Sequence, residues 1–128
     1  MPLSTGETGA RSLVEAYLDA LTTHDYERAR ACLADRGFRY ESPISVFTNA
    51  DDFIQHISFA GAILQRITRR KTFVNGPDVC HLLFYTFQLS EKETAKVAQW
   101  AHVESGRIQT IEFLFDASRY HQLFQPSP

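Results

Sequence analysis

The chain has 128 residues, 22% charged and 44% hydrophobic, with a formal net charge of −2. The composition excludes a disordered chain, the length leaves room for one ordinary domain, and the mild acidity argues against a nucleic-acid binder, which carries a basic excess or stripe. No apolar run approaches the roughly 18 residues of a membrane span, the N-terminal stretch before Ala10 lacks the basic and apolar regions of a signal peptide, and Cys32 and Cys80 are too few for a disulfide framework and have no metal-ligand spacing. The expectation is one cytoplasmic domain over 1–128, ordered over about 10–124, with neither membrane nor nucleic acid as partner.

Residues 1–9 are small and polar and read as a frayed lead-in. From Ala10, the residues Leu13, Val14, Tyr17, Leu18 and Leu21 recur at spacings of three and four, which predicts a helix. Arg11, Glu15 and Asp19 fall mostly on its other side. Thr22 to Asp25 interrupt the pattern and can cap a second, shorter helix whose buried side is Tyr26, Ala29 and Leu33. Phe38 to Ser42 alternate and read as a strand closed by Pro43, which cannot donate to a ladder. Thr48, Asn49, Asp51 and Asp52 then start a third helix, with Phe53, Ile57, Ala60 and Leu64 at helical spacing and Gly61 weakening or ending it.

The second half reads as strands. Ile67 to Val74 is one, and its Arg and Lys residues suit a solvated edge. Asn75 to Asp78 is turn chemistry. Val79 to Leu89 is a long strand with both faces apolar, Ser90 to Glu93 a polar connection, and Thr94 to Glu104 a further alternating strand. Ser105-Gly106 is a tight turn, and Arg107 to Phe115 a final strand. Asp116 can cap a last short helix with Ala117, Tyr120, Leu123 and Phe124 on its inner side.

Helices grouped before a run of hairpin-linked strands mean α+β. Strands apolar on both faces need cover on both. One face packs on the helices; the other calls for a partner, most simply a second copy of the chain. If Gln99 faces inward on its strand, Trp100 and His102 face outward, and Trp100 suits a homodimer anchor.

The phrase Val14 to Leu21, the polar turn with Asp25, and Phe38 to Pro43, together with Glu104 to Ile108 and Ile111 to Asp116, resemble the nuclear transport factor 2-like superfamily. That group includes ketosteroid isomerases, SnoaL-like polyketide cyclases and limonene epoxide hydrolases. The resemblance covers about Ala10 to Phe124 and rests on the order and spacing of short motifs. It implies a curved antiparallel sheet wrapped around N-terminal helices as a cone with an apolar pocket, usually dimeric. Its members differ in chemistry, so the site must be argued separately.

In the isomerases a tyrosine of the first helix and a protonated acid bind a developing oxyanion while a strand-end aspartate moves the proton. Tyr17 matches that tyrosine; its alternative is a stripe residue satisfied locally. Ser42 stands where the resemblance keeps the aspartate, and a serine hydroxyl is no base near neutral pH. Gln99 falls at the partner acid, either as a donor to a carbonyl oxygen or as a buried amide satisfied by backbone. His81 shares a strand face with Val79, Leu83, Tyr85 and Phe87; if that face lines the cone, its imidazole suits acid–base work, and otherwise it is a core or rim histidine. The hydrolases' last-strand carboxylate falls nearest Phe113, with Glu112 pointing outward. His24, His56 and His121 have no i, i+4 histidine partner, so no metal is expected, and no motif implies a cofactor.

The expected catalytic residues are Tyr17, His81 and Gln99, and the expected substrate-binding residues Tyr40, Ser42, Phe53, Ile57, Leu83, Ile111, Phe113 and Phe115. These are mostly aromatic and aliphatic with a few polar groups, as in a site for a small apolar or aromatic molecule. The function so implied is a SnoaL-like pocket protein. Its chemistry is of the isomerase, cyclase or lyase type, with Tyr17 and Gln99 polarising a carbonyl and His81 transferring a proton. The alternatives are a binding or accessory module without turnover and an interaction scaffold whose pocket is filled by its own side chains.

Overall fold

A computed structural model of the chain describes residues 7–118. Helix α1 spans Glu7–Thr22, α2 Tyr26–Ala31 and α3 Ala50–Ala60, continued by a 3-10 turn over Gly61–Ile63. The strands are β1 Arg39–Glu41, β2 Val46–Phe47, β3 Leu64–Asn75, β4 Asp78–Gln88, β5 Lys92–Glu104 and β6 Arg107–Leu114. Of the short helix expected after Asp116, Ala117 and Ser118 are helical, with the Asp116 carboxylate accepting the Ser118 N–H at 3.0 Å, while Tyr120, Leu123 and Phe124 lie outside the described residues, as do residues 119–124 of the expected core.

Local chemistry sets the helix starts. The Asp25 carboxylate accepts the Arg28 N–H at 3.1 Å, and the Asn49 side chain accepts the Asp52 N–H at 3.1 Å, each satisfying a first-turn donor that lacks a helical partner. Between α1 and α2 the backbone of His24 turns left-handed, with φ 58. Its Nδ1 is 3.0 Å from the Tyr26 hydroxyl, and a Cβ on Gly61 would sit 3.2 Å from that same hydroxyl.

The six strands form one sheet in the order β2-β1-β6-β5-β4-β3. All neighbours are antiparallel except β1 and β6, which run parallel. That parallel pair is the departure from the expected antiparallel sheet. The chain reaches it because Leu33 bridges Ile108, with the Ala34 N–H on the Ile108 carbonyl at 2.9 Å, so β1 is laid beside β6 in the same direction. Strand β2 follows Pro43 at once and folds back on β1, its return held by the Ser42 N–H on the Ser45 carbonyl at 2.8 Å. Register shifts in β3 at Leu64/Arg66 and Arg69/Lys71, and between β5 and β6 at His102/Val103, add the local bend that curves the sheet.

Helix α1 buries Val14, Tyr17, Leu18 and Leu21 against the concave face, where Val79, Leu83, Val97, Ala101, Ile108 and Ile111 meet it. The convex face carries Phe73, Trp100 and Leu114, 54%, 49% and 56% exposed. Both faces are therefore apolar. Strand β3 is a sheet edge with Arg66, Arg70 and Lys71 exposed, but Arg69 departs from the expected solvated row. It turns inward and pairs with Glu15 and Asp19 of α1, each at 2.8 Å. This corrects the placement of Glu15 on the solvent side: the i, i+4 acid pair of α1 faces the edge of the sheet, and the charge attraction draws Arg69 to it.

Candidate functional site

Between α1, α3 and the concave face the cone holds a cavity of about 600 Å³. Its wall is built from several separate stretches of chain. Tyr17 and Leu21 come from α1, Tyr40 from β1, and Ser42 and Ser45 from the β1–β2 return. Phe53, His56 and Ile57 come from α3, Tyr85 and Phe87 from β4, Val97 from β5, and Phe113 from β6, with Phe115 just beyond.

Aromatic packing fixes much of this wall. Tyr40 stacks on Phe53 with ring centroids 4.3 Å apart, and Tyr85 meets Phe113 edge to face at 5.2 Å. Phe113 in turn contacts Phe115 at 5.8 Å. Three phenols, Tyr17, Tyr40 and Tyr85, are pushed above the ordinary tyrosine range, all chiefly by burial. For Tyr17 the nearby Tyr85 and Tyr40 add to the shift, and for Tyr40 a hydrogen bond to Ser42 opposes it. Raised pKa values keep all three protonated, so each presents an O–H donor in a region of low dielectric. The Ser42 hydroxyl lies 3.0 Å from the Ser45 hydroxyl, extending a polar strip from Tyr40 along one side.

Of the expected site residues, the fold brings Tyr17, Tyr40, Ser42, Phe53, Ile57, Phe113 and Phe115 together on the wall. His81, Gln99, Leu83 and Ile111 are not among the lining residues. All four are on the concave face, but the cavity ends before it reaches them. His81 is 0% and Gln99 1% exposed, and Leu83 and Ile111 are core residues. His81 Nε2 instead sits 2.6 Å from a Glu15 carboxylate oxygen, whose other oxygen accepts from Arg69 Nε at 2.8 Å. Burial alone would raise the Glu15 carboxyl, but the hydrogen bonds from His81 and Arg69 outweigh it and hold it below the usual carboxylate range. Tyr17 and His81 thus belong to neighbouring but different environments, one on the cavity wall and one in a buried ionic network.

Sequence reasoning passed over Tyr85, His56, Ser45 and Val97 as wall residues, and Glu15 and Arg69 as partners of His81. Tyr85 was within reach, because it lies two residues from Leu83 on the same strand face. Arg69 was within reach too, because it lies two residues beyond the buried Ile67 with unbroken pairing between them, so alternation puts it on the inner face. Among the described residues no group of three or more His, Cys, Asp or Glu side chains is placed to hold a metal, and no helix is long and apolar enough to cross a membrane.

On the convex face, the Asp78 carboxylate accepts from Trp100 Nε1 at 2.9 Å and lies 2.8 Å from His102 Nδ1. The Asp78 contact raises the pKa of His102, and the hydrogen bonds from His102 and Trp100 lower that of Asp78. Trp100 and His102 do point away from the cavity, as read from the strand alternation.

No family model matches the chain, and no curated protein matches it. Solved structures do. A nuclear transport factor 2-like protein of unknown function from Burkholderia pseudomallei K96243 superposes with a TM-score of 0.81 at 18% identity, over 93% of this chain and 99% of that one. An LEH-like epoxide hydrolase from M. tuberculosis gives 0.78 at 21% identity, over 88% and 86%. A protein with a ketosteroid isomerase-like fold from Catenulispora acidiphila DSM 44928, in complex with trimethylamine, gives 0.70 at 14% identity, over 79% and 82%. At these identities the likeness is one of fold: the chain has the nuclear transport factor 2-like α+β cone.

Proposed function

We propose that the cavity binds a small, largely apolar molecule bearing a hydrogen-bond-accepting oxygen, such as a cyclic ketone or enone, and that the phenols of Tyr17, Tyr40 and Tyr85 orient that oxygen. The observation that carries this reading is the convergence of three buried tyrosines from α1, β1 and β4 on one apolar cavity of about 600 Å³. That volume is within the usual range for small-molecule sites. A phenol held protonated in a dry wall hydrogen-bonds a carbonyl more strongly than water does, and more strongly still if negative charge develops there. The folds of an LEH-like epoxide hydrolase and of a protein holding trimethylamine support a small-molecule site in this cone.

Turnover of the isomerase, cyclase or lyase type is a second reading, supported by His56, an imidazole on the same wall and 5.0 Å from the Phe47 ring. Ser42 does not supply a base, and His81 is not on the wall. The half-exposed Phe73, Trp100 and Leu114 support a homodimer across the convex face.

The test compares α-tetralone with tetralin, its hydrocarbon counterpart, by calorimetry. The ketone binds more tightly to the wild type. Tyr17→Phe and Tyr85→Phe each weaken the ketone about fivefold, the worth of roughly 1 kcal/mol for one neutral hydrogen bond, and leave tetralin unchanged. Failure of both compounds to bind, or equal losses for both, defeats the reading.

A further inference from the structure

Beneath the cavity lies a pair of polar atoms that the fold leaves unsatisfied. His81 Nδ1 and Gln99 Nε2 are buried and have no hydrogen-bond partner among the described residues. The two residues are direct cross-strand neighbours on β4 and β5. Buried polar groups in folded proteins are nearly always paired, because an unmade bond costs the full desolvation of the group. Two such groups side by side point to a shared partner.

We propose that His81 and Gln99 form the inner end of the ligand site and recognise a hydroxyl group, taking its proton in a hydrogen bond on one side and donating to its oxygen on the other. This rests on the cavity reading above and extends it to a second polar contact. The ionised Glu15 carboxylate can only accept, so the proton between it and His81 is on Nε2. In the neutral ring Nδ1 then carries the lone pair. Arg69 grips the other Glu15 oxygen and so holds the imidazole in that orientation. Gln99 presents an N–H beside it. An acceptor next to a donor matches an alcohol or enol hydroxyl, which is both; a ketone oxygen satisfies only one of the two.

The position fits an extension of the cavity. Gln99 lies two residues beyond Val97 on β5 and directly across from Phe113 on β6, and both of those line the cavity. The hydroxyl end of the ligand reaches the pair by parting these two side chains, while the rest of the molecule stays among the aromatic walls. Glu15 acts as a positioning residue.

The experiment measures binding of 2-naphthol and of 2-methylnaphthalene, which replaces the hydroxyl by a methyl of similar size. Wild type and Gln99→Met are compared by calorimetry, and the ¹⁵N resonance of His81 Nδ1 is followed in the wild type. The expected result is a preference for 2-naphthol of roughly tenfold, lost in Gln99→Met, with the His81 Nδ1 resonance moving only for 2-naphthol. A preference that survives Gln99→Met or an unmoved His81 resonance overturns the proposal while leaving the cavity reading intact. If neither compound binds the wild type, the cavity reading itself fails and this one with it. The resonance needs no variant, so the test holds even if Gln99→Met does not fold.

Discussion

Tyr40 and Phe53 lie ring over ring, 4.3 Å between centroids and 27° between planes, and so tie the first strand of the sheet to the third helix. Phe38 and Phe47 also contact Phe53, at 5.5 and 5.8 Å. Phe53 is therefore the hub where α3 closes the cone. Truncation there removes a fully buried ring and the floor under Tyr40 at once. Phe53→Ala is expected to destabilise the fold by about 3–5 kcal/mol in urea denaturation. Phe53→Leu, which keeps most of the volume, is expected to cost less than half of that and to weaken α-tetralone binding.

Glu15 couples acid to stability. Its carboxyl is held below the usual range in the folded chain, so the unfolded chain binds the proton first as pH falls. The stabilisation is complete above the ordinary carboxylate range and fades as pH drops through the lowered native value. Glu15→Gln is expected to cost on the order of 2 kcal/mol at pH 7, since it breaks a partly buried pair with Arg69. Urea midpoints of wild type and variant are expected to converge at acid pH; a gap constant from pH 7 to pH 3 contradicts the network.

His102 works in the opposite direction. Its folded pKa is raised by Asp78, so its contribution is present below the ordinary histidine range and is lost as pH rises through the raised value. Asp78, held low by the same contact, keeps its share until strongly acid pH. The melting temperature of His102→Ala is expected to fall further below wild type at pH 6 than at pH 9. The effect is small, because both side chains are partly exposed.

A homodimer across the convex face requires Trp100 to be covered. Sedimentation of the wild type at micromolar concentration is expected to give a dimer, and Trp100→Glu a monomer with an unchanged far-ultraviolet spectrum. A monomeric wild type removes the need for a partner on this face.

The helices and long strands were legible because each announces itself locally. The stripe from Val14 to Leu21 gives α1, the side chains of Asp25 and Asn49 mark the starts of α2 and α3, and Ser105-Gly106, with φ 52 and 76, forms the turn before β6. Alternation along β4 correctly put His81 and Tyr85 on one face. It says nothing about depth along the cone, and depth separates them: Tyr85 reaches the cavity and His81 stops beneath it. The parallel pairing of β1 with β6 depends on residues some seventy positions apart, and no local signal reports it. The two-residue β2 is too short for any period to show. Arg69 was misread because a charged residue on an edge strand reads as solvated, although alternation from the buried Ile67 puts it on the inner face.

Gly61 lines the cavity, facing the Tyr26 hydroxyl, which lies 3.0 Å from His24 Nδ1. A single added methyl there would meet that oxygen at 3.2 Å, close enough to push the ring a few tenths of an ångström aside. That stretch of the wall is thus set by a residue with no side chain, and its shape can be changed without altering Tyr17, Tyr40 or Tyr85. In the proposed ligand site, girth and polarity are consequently set by different residues and are free to change independently.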